Sequence, residues 1–183
     1  VHQLEDGRVI EAGTVLADTN SGSVSFSTDF GDDAPVVVTS VMSALEPTAV
    51  DSDPLNVTSS GFDVRLQVEE ARASLARGKE LVSYIALGVG GNVGHVSGVD
   101  QFATRIRYES LTAPVVVADT QTRNDADAQT LMFWRNPGSS FANLYAQEEY
   151  SADSERLRLV RESAGFAAFD AGVLTGTRTG DAA

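Results

Sequence analysis

The strongest constraint on this chain is that it repeats itself. Ala34-Pro35-Val36-Val37-Val38 returns as Ala113-Pro114-Val115-Val116-Val117. Ser60-Gly61-Phe62 and Glu69-Glu70 recur at the same spacing as Ser139-Ser140-Phe141 and Glu148-Glu149. Tyr84, Ala86, Leu87 and Gly90 answer to Phe166, Ala168, Phe169 and Gly172 at a slightly longer spacing, which places an insertion between Glu149 and Phe166. Blocks recurring in one order define two copies of a small unit. A sandwich of about 70 residues has a thin core, so two such units are expected to pack together or against symmetry mates.

Within each copy the pattern is that of strands. Phe62-Asp63-Val64-Arg65-Leu66-Gln67-Val68 alternates apolar and polar residues at period two, which marks a half-buried strand. Pro35 opens a β-branched run through Val41, where proline is tolerated because it starts the strand. Val24 to Phe30 and Val82 to Leu87 complete the first copy. Phe102 to Tyr108, Val115 to Asp119, Phe141 to Ala146 and Gly165 to Phe169 build the second. Asp6-Gly7 between two short apolar segments predicts a two-residue hairpin. The stretch from Val68 to Val82 reads as a long hairpin loop.

The expected fold is all-β: two tandem antiparallel β-sandwich modules related by an internal repeat. Residues 1–21 form an N-terminal hairpin and linker, 22–90 the first module, 91–100 a Gly-rich linker, 101–172 the second module and 173–183 a tail. The opening residues lack the basic and apolar regions of a signal peptide, and a larger parent polypeptide is expected.

Charge and composition narrow the function classes. The net charge is −13, and such a surface repels phosphate backbones and anionic lipid, so nucleic acid is a poor partner. No apolar run is long enough for a membrane span, and no membrane insertion is expected. With no cysteine, disulfides, thiolate nucleophiles and Cys-ligated zinc are all excluded. His2 and His95 have neither the spacing of a metal site nor a nucleophile elbow to serve.

The order of motifs in the first copy resembles the H-type lectin domain. Phe26 and Phe30 precede the Pro35 to Val38 strand. Asn56-Val57-Thr58-Ser59-Ser60-Gly61-Phe62 follows, and Val82-Ser83-Tyr84-Ile85-Ala86 closes the unit. The second copy carries fainter counterparts in Asn136-Pro137-Gly138-Ser139-Ser140-Phe141 and Ala164-Gly165-Phe166-Ala167-Ala168. The resemblance implies a six-stranded antiparallel sandwich that assembles into trimers or higher homo-oligomers and binds galactose-type sugars. It also implies an extracellular or cell-surface location, as in similar repeats of large secreted bacterial proteins. One departure matters. Where that family places an aromatic pair near its sugar, this chain has Val68-Glu69-Glu70 and Gln147-Glu148-Glu149.

Sugar sites combine an aromatic face with hydrogen-bonding side chains. Trp134, beside Arg135, is the only tryptophan; its counterpart is Leu55, so it reads either as a core or intermodule side chain or as a platform. Tyr145, Gln147 and Glu149 alternate along one strand and would share a face, with Tyr150 close by. These residues are the candidate site for a glycan or polysaccharide.

Paired glutamates invite a glycosidase, yet neighbours on an extended segment do not face each other across a substrate. The expectation is therefore no catalysis and no catalytic residues. Asp51 and Asp53, and separately Asp125 and Asp127, have spacing that can chelate calcium; they read either as solvated loop acids, the favoured account, or as ligands of a weakly bound calcium, and no cofactor is required. Asn56-Val57-Thr58 also fits the glycosylation sequon. The reading is a non-catalytic carbohydrate-binding module; the alternative is a structural, oligomerising adhesive module.

Overall fold

The structure, a computed structural model, describes residues 1–45, 50–68, 78–124, 129–148, 160–173 and 175–178. The protein is all-β. Its strands are β1 (His2–Leu4), β2 (Val9–Ala17), β3 (Gly22–Ser25), β4 (Val36–Val41), β5 (Asp51–Thr58), β6 (Gly61–Gln67) and β7 (Glu80–Leu87). They continue as β8 (Val93–Val99), β9 (Thr104–Arg107), β10 (Pro114–Thr120), β11 (Gln129–Phe133), β12 (Phe141–Glu148), β13 (Glu162–Asp170) and β14 (Gly176–Arg178).

Every described strand pairing is antiparallel. In the first half, β2, β7 and β4 lie side by side opposite a sheet of β3, β6 and β5; in the second, β8, β13 and β10 lie opposite β9, β12 and β11. The strands of the two halves thus follow one another in the same order. Each half closes its own core. Phe62, Val64, Leu66, Val82 and Tyr84 fill the first, and Ile106, Leu144, Ala146, Ala164 and Phe166 fill the second.

A third cluster joins the halves. Val36 and Leu87 pack against Val93 and Ala167, with Ile10, Val38 and Phe169 around them. Thin sandwiches thus gain apolar burial by packing part of the β2–β7–β4 sheet against part of β8–β13–β10. The outer edge of β4 would leave backbone polar groups unpaired, and the second half supplies partners for them. Gln121 accepts from the Val37 N–H at 3.2 Å and donates to its carbonyl at 2.7 Å, as a neighbouring strand would. Asp119 Oδ2 accepts from the Thr39 N–H and hydroxyl, both at 2.8 Å.

Several expectations from sequence change. Residues 91–100, expected as a linker, contain β8, which pairs with β13. Its glycines have local jobs: Gly94 lies against the Phe166 ring, and Gly98 adopts φ +80°, opposite the register shift at Glu162/Ser163. Residues 1–21, expected as a hairpin and linker, include β2, which pairs with β7 along its length. The β1–β2 turn has three residues, not two: Leu4 and Arg8 pair across it, and Gly7 is left-handed at φ +85°.

The tail expected at 173–183 contains β14, which pairs with β1. Strands expected at Val24 to Phe30 and Phe102 to Tyr108 are shorter, and Phe102 is 64% exposed. The loop expected after Val68 lies mostly outside the described residues.

Candidate functional site

In the second half, β12 buries Ala142, Leu144, Ala146 and Glu148 and turns Phe141, Asn143, Tyr145 and Gln147 outward. On one side β9 pairs with it, placing Arg107 beside Phe141 and Arg105 beside Asn143. On the other, β11 places Met132 beside Tyr145 and Thr130 beside Gln147. Trp134 continues that edge, its N–H donating to the Asn143 carbonyl at 3.0 Å. Strand alternation thus gathers three aromatic rings, two amides and two guanidinium groups on one open sheet face.

The geometry on this face is well defined. The Trp134 and Tyr145 rings meet edge to face with centroids 5.7 Å apart. Trp134 is 58% exposed, so its reading as a core or intermodule side chain is overturned. The Tyr145 hydroxyl donates to Gln147 Oε1 at 3.2 Å. Arg105 stacks on Phe141 with its Cζ 4.4 Å from the ring centroid, and its Nε donates to Asn143 Oδ1 at 3.4 Å. Phe141, matched in sequence to the buried Phe62, faces outward. Ser59 and Ser60 accept from Phe30 and Phe26 as Ser139 and Ser140 accept from Leu111 and Tyr108, so Ser140 is the counterpart of Ser60 and the sequence match is one residue out.

Of the residues expected at the site, the structure brings Trp134, Tyr145 and Gln147 together and leaves Arg135 exposed next to Trp134. Glu149 and Tyr150 lie outside the described residues, as do Glu69, Glu70, Asp125 and Asp127. Arg105, Arg107, Phe141 and Asn143 were missed. Their signal was present in the alternation of Arg105-Ile106-Arg107 and of Phe141 to Gln147, but only the register between strands shows that they share a face.

Asp51 and Asp53, expected in a loop, lie on strand β5. Asp53 is buried where the halves meet and accepts from the Thr120 hydroxyl at 2.9 Å, while its Oδ2 has no hydrogen-bond partner. Burial and then the nearby Asp51 push its carboxyl up to about 7, against the pull of the Thr120 hydrogen bond and Arg123. Burial likewise raises Asp119 well above the ordinary carboxylate range. Among the described residues no group of three or more His, Asp or Glu is arranged to hold a metal ion.

A further pair of buried acids escaped the sequence reading. Glu80 Oε2 accepts from the Ser43 hydroxyl at 2.5 Å and the Leu45 N–H at 3.0 Å, while Ser43 Oγ accepts from the Leu81 N–H at 2.7 Å. Glu162 repeats the arrangement with the Thr122 hydroxyl at 2.5 Å and the Asn124 N–H at 2.6 Å, and Thr122 accepts from the Ser163 N–H at 2.8 Å. Each glutamate ties the loop after the third strand of its half to the start of the sixth.

Compared with protein-family models, curated proteins and solved structures, the chain gives no significant match.

Proposed function

We propose that this chain is a non-catalytic carbohydrate-binding module of a larger secreted or surface protein, with the outer face of β9, β12 and β11 as its ligand platform. The observation that carries the reading is the ring pair of exposed Trp134 and half-buried Tyr145 standing among Asn143, Gln147 and Arg105. A pyranose has one apolar face and a rim of hydroxyls, and an open aromatic surface bordered by amides and a guanidinium matches both. Six strands of each half, three on either side of its core, agree with the six-stranded sandwich that the H-type lectin resemblance implies, although β1 and β14 extend one sheet of the first half to five strands, and the common strand order fits an origin by duplication. Calcium assistance belongs to the same proposal and is tested with it. Carboxylates do not pair across this face among the described residues, because Glu148 turns inward.

A second reading, a structural or oligomerising adhesive module, draws on the exposed apolar residues of the other sheets. Leu16, Ile85, Val115 and Val117 are 53%, 47%, 47% and 39% exposed and offer apolar surface to another copy. A glycan and polysaccharide array, run with calcium and with chelator, separates the two. Saturable binding that Trp134→Ala and Tyr145→Ala abolish, with unchanged thermal midpoints, is the expected result. No binding in either condition, together with a defined trimer or larger species by light scattering, would replace the first reading with the second.

A further inference from the structure

The outward face of β9–β12–β11 is unusual for the charge it lacks. The chain carries a net charge of −13, yet none of the outward residues on these strands is acidic: they are Arg105 and Arg107, then Phe141, Asn143, Tyr145 and Gln147, then Thr130 and Met132. Neither Arg105 nor Arg107 has an ion-pair partner among the described residues. In so acidic a chain, two adjacent exposed cations without an ion pair make a local positive patch, open to an anionic group of a ligand.

The geometry prepares them to receive it. Arg105 and Arg107 are alternate residues of one strand, so their stems stand about 6.6 Å apart. The Phe141 ring supports one flat side of the Arg105 guanidinium and Asn143 holds its Nε, which limits the freedom lost when an anion docks on the remaining N–H edge. Trp134 follows β11 on the far side of Asn143, so the cations and the aromatic pair lie across one strand from each other. A ligand that spans them presents a ring to the aromatics and a negative group to the arginines.

We infer that this face binds an acidic polysaccharide, with its carboxylate or sulfate groups on Arg105 and Arg107 and a sugar ring against Trp134 and Tyr145. The inference rests on the carbohydrate reading and names the ligand class for it. Charge complementarity favours a glycan over nucleic acid, because a sparsely charged chain can meet two arginines locally, whereas a continuous phosphate backbone also meets the repulsion of the whole surface.

The test is titration calorimetry of the full chain against matched, sparsely charged polymers: lightly sulfated dextran and dextran, partly methyl-esterified polygalacturonate and its full methyl ester. At least one charged polymer is expected to bind about tenfold or more tightly than its uncharged partner, and the pair that shows the difference identifies the anion. An Arg105→Gln/Arg107→Gln double variant should bring the charged polymer to the level of the uncharged one. The single variants provide the same readout should the double variant fold poorly, and Arg105→Lys should restore only part of the preference.

Equal binding of charged and uncharged polymers, or a preference unchanged in the glutamine variants, would overturn this inference and leave the carbohydrate reading standing. Failure of every polymer to bind the folded chain would overturn both. Single-stranded oligonucleotide displacing the charged polymers would assign the face to nucleic acid and overturn the inference as well.

Discussion

The two outer faces made by the second, fifth and fourth strands of each half occupy the same place in the strand order but are furnished differently. In the first half, Ser23 and Ser25 stand where the second has Arg105 and Arg107. Gly61, Asp63 and Arg65 take the places of Phe141, Asn143 and Tyr145, and Leu55 that of Trp134. Asp63 is occupied internally, accepting from Ser23 Oγ at 2.7 Å and Asn56 Nδ2 at 2.9 Å, and these two hydrogen bonds hold its carboxyl below the usual range. Asp53, at the position of Met132, is buried where the halves meet, whereas Met132 is 40% exposed. One face is thus self-satisfied and partly covered, and the other is open. Where the halves agree, as in the glutamate ties and the aromatic ring opposite a strand glycine, they serve the fold. Their differences mark the surface available for a ligand.

The largest expected effect comes from the covered face. Asp53 is raised from 3.8 in the unfolded chain to about 7 in the folded one, so the folded protein keeps a proton that the unfolded chain has released. Its contribution to stability is greatest below the unfolded value and falls as pH rises through the window to about 7, by up to about 1.4 kcal/mol per unit. Met132, uncharged and open to solvent, imposes nothing similar at the equivalent position, while buried Asp119 on β10 acts in the same direction in wild type and variant alike. Urea unfolding of wild type and Asp53→Asn between these pH values should show a steeper fall in the wild type. Parallel curves would place the titration elsewhere and remove this contrast between the halves.

Next in size is the tie that the halves share. Glu162→Ala strands the Thr122 hydroxyl, the Asn124 N–H and the Gln129 amide, which donates at 3.1 Å. A loss of about 3 kcal/mol is expected by thermal or urea denaturation. Glu80→Ala removes the acceptor of Ser43 and Leu45 and should destabilise by a similar or somewhat smaller amount. If one substitution proves neutral while the other is severe, the two arrangements are not equivalent in energy, whatever their geometry.

Much of this fold could be read from residue patterns, and its omissions have physical causes. Val36 to Val41 and Phe62 to Gln67 announced themselves because each carries its own apolar face. Strand β5 did not: Asp51-Ser52-Asp53-Pro54 is punctuated like a turn, and Pro54 is accommodated because β5 is an edge strand. Ser52 is buried against Thr39 of its own half and Asp53 against Thr120 of the other, which local pattern cannot report. Glycine obscured β8 in the same way. Trp134 was undecidable because a one-residue slip of a short strand exchanges core for surface. Glu80 and Glu162 were readable, since they keep the spacing that links Tyr84 to Phe166, but carboxylates were weighed as chemistry and not as fastenings.

The smallest effect gives the sharpest comparison. Gly13 pairs with Tyr84 as Gly94 pairs with Phe166, each glycine leaving room for a ring on the neighbouring strand. The clearances differ. A Cβ at Gly13 would stand 2.7 Å from the Tyr84 hydroxyl, whereas one at Gly94 would lie 3.6 Å from the Phe166 ring. Tyr84 has little freedom to yield, because its hydroxyl donates to buried Glu11, which also accepts from Ser27. Its ring is also wedged against Phe62 at 5.2 Å. Gly13→Ala should therefore destabilise by about 1–3 kcal/mol through overpacking. Gly94→Ala gains ordinary van der Waals contact and restricts the unfolded chain, and should lie within about 1 kcal/mol of wild type in either direction. Thermal melts of the two variants read this directly. Equal losses would mean that the rings are held alike, and that the Glu11–Tyr84 hydrogen bond does not set the first half apart.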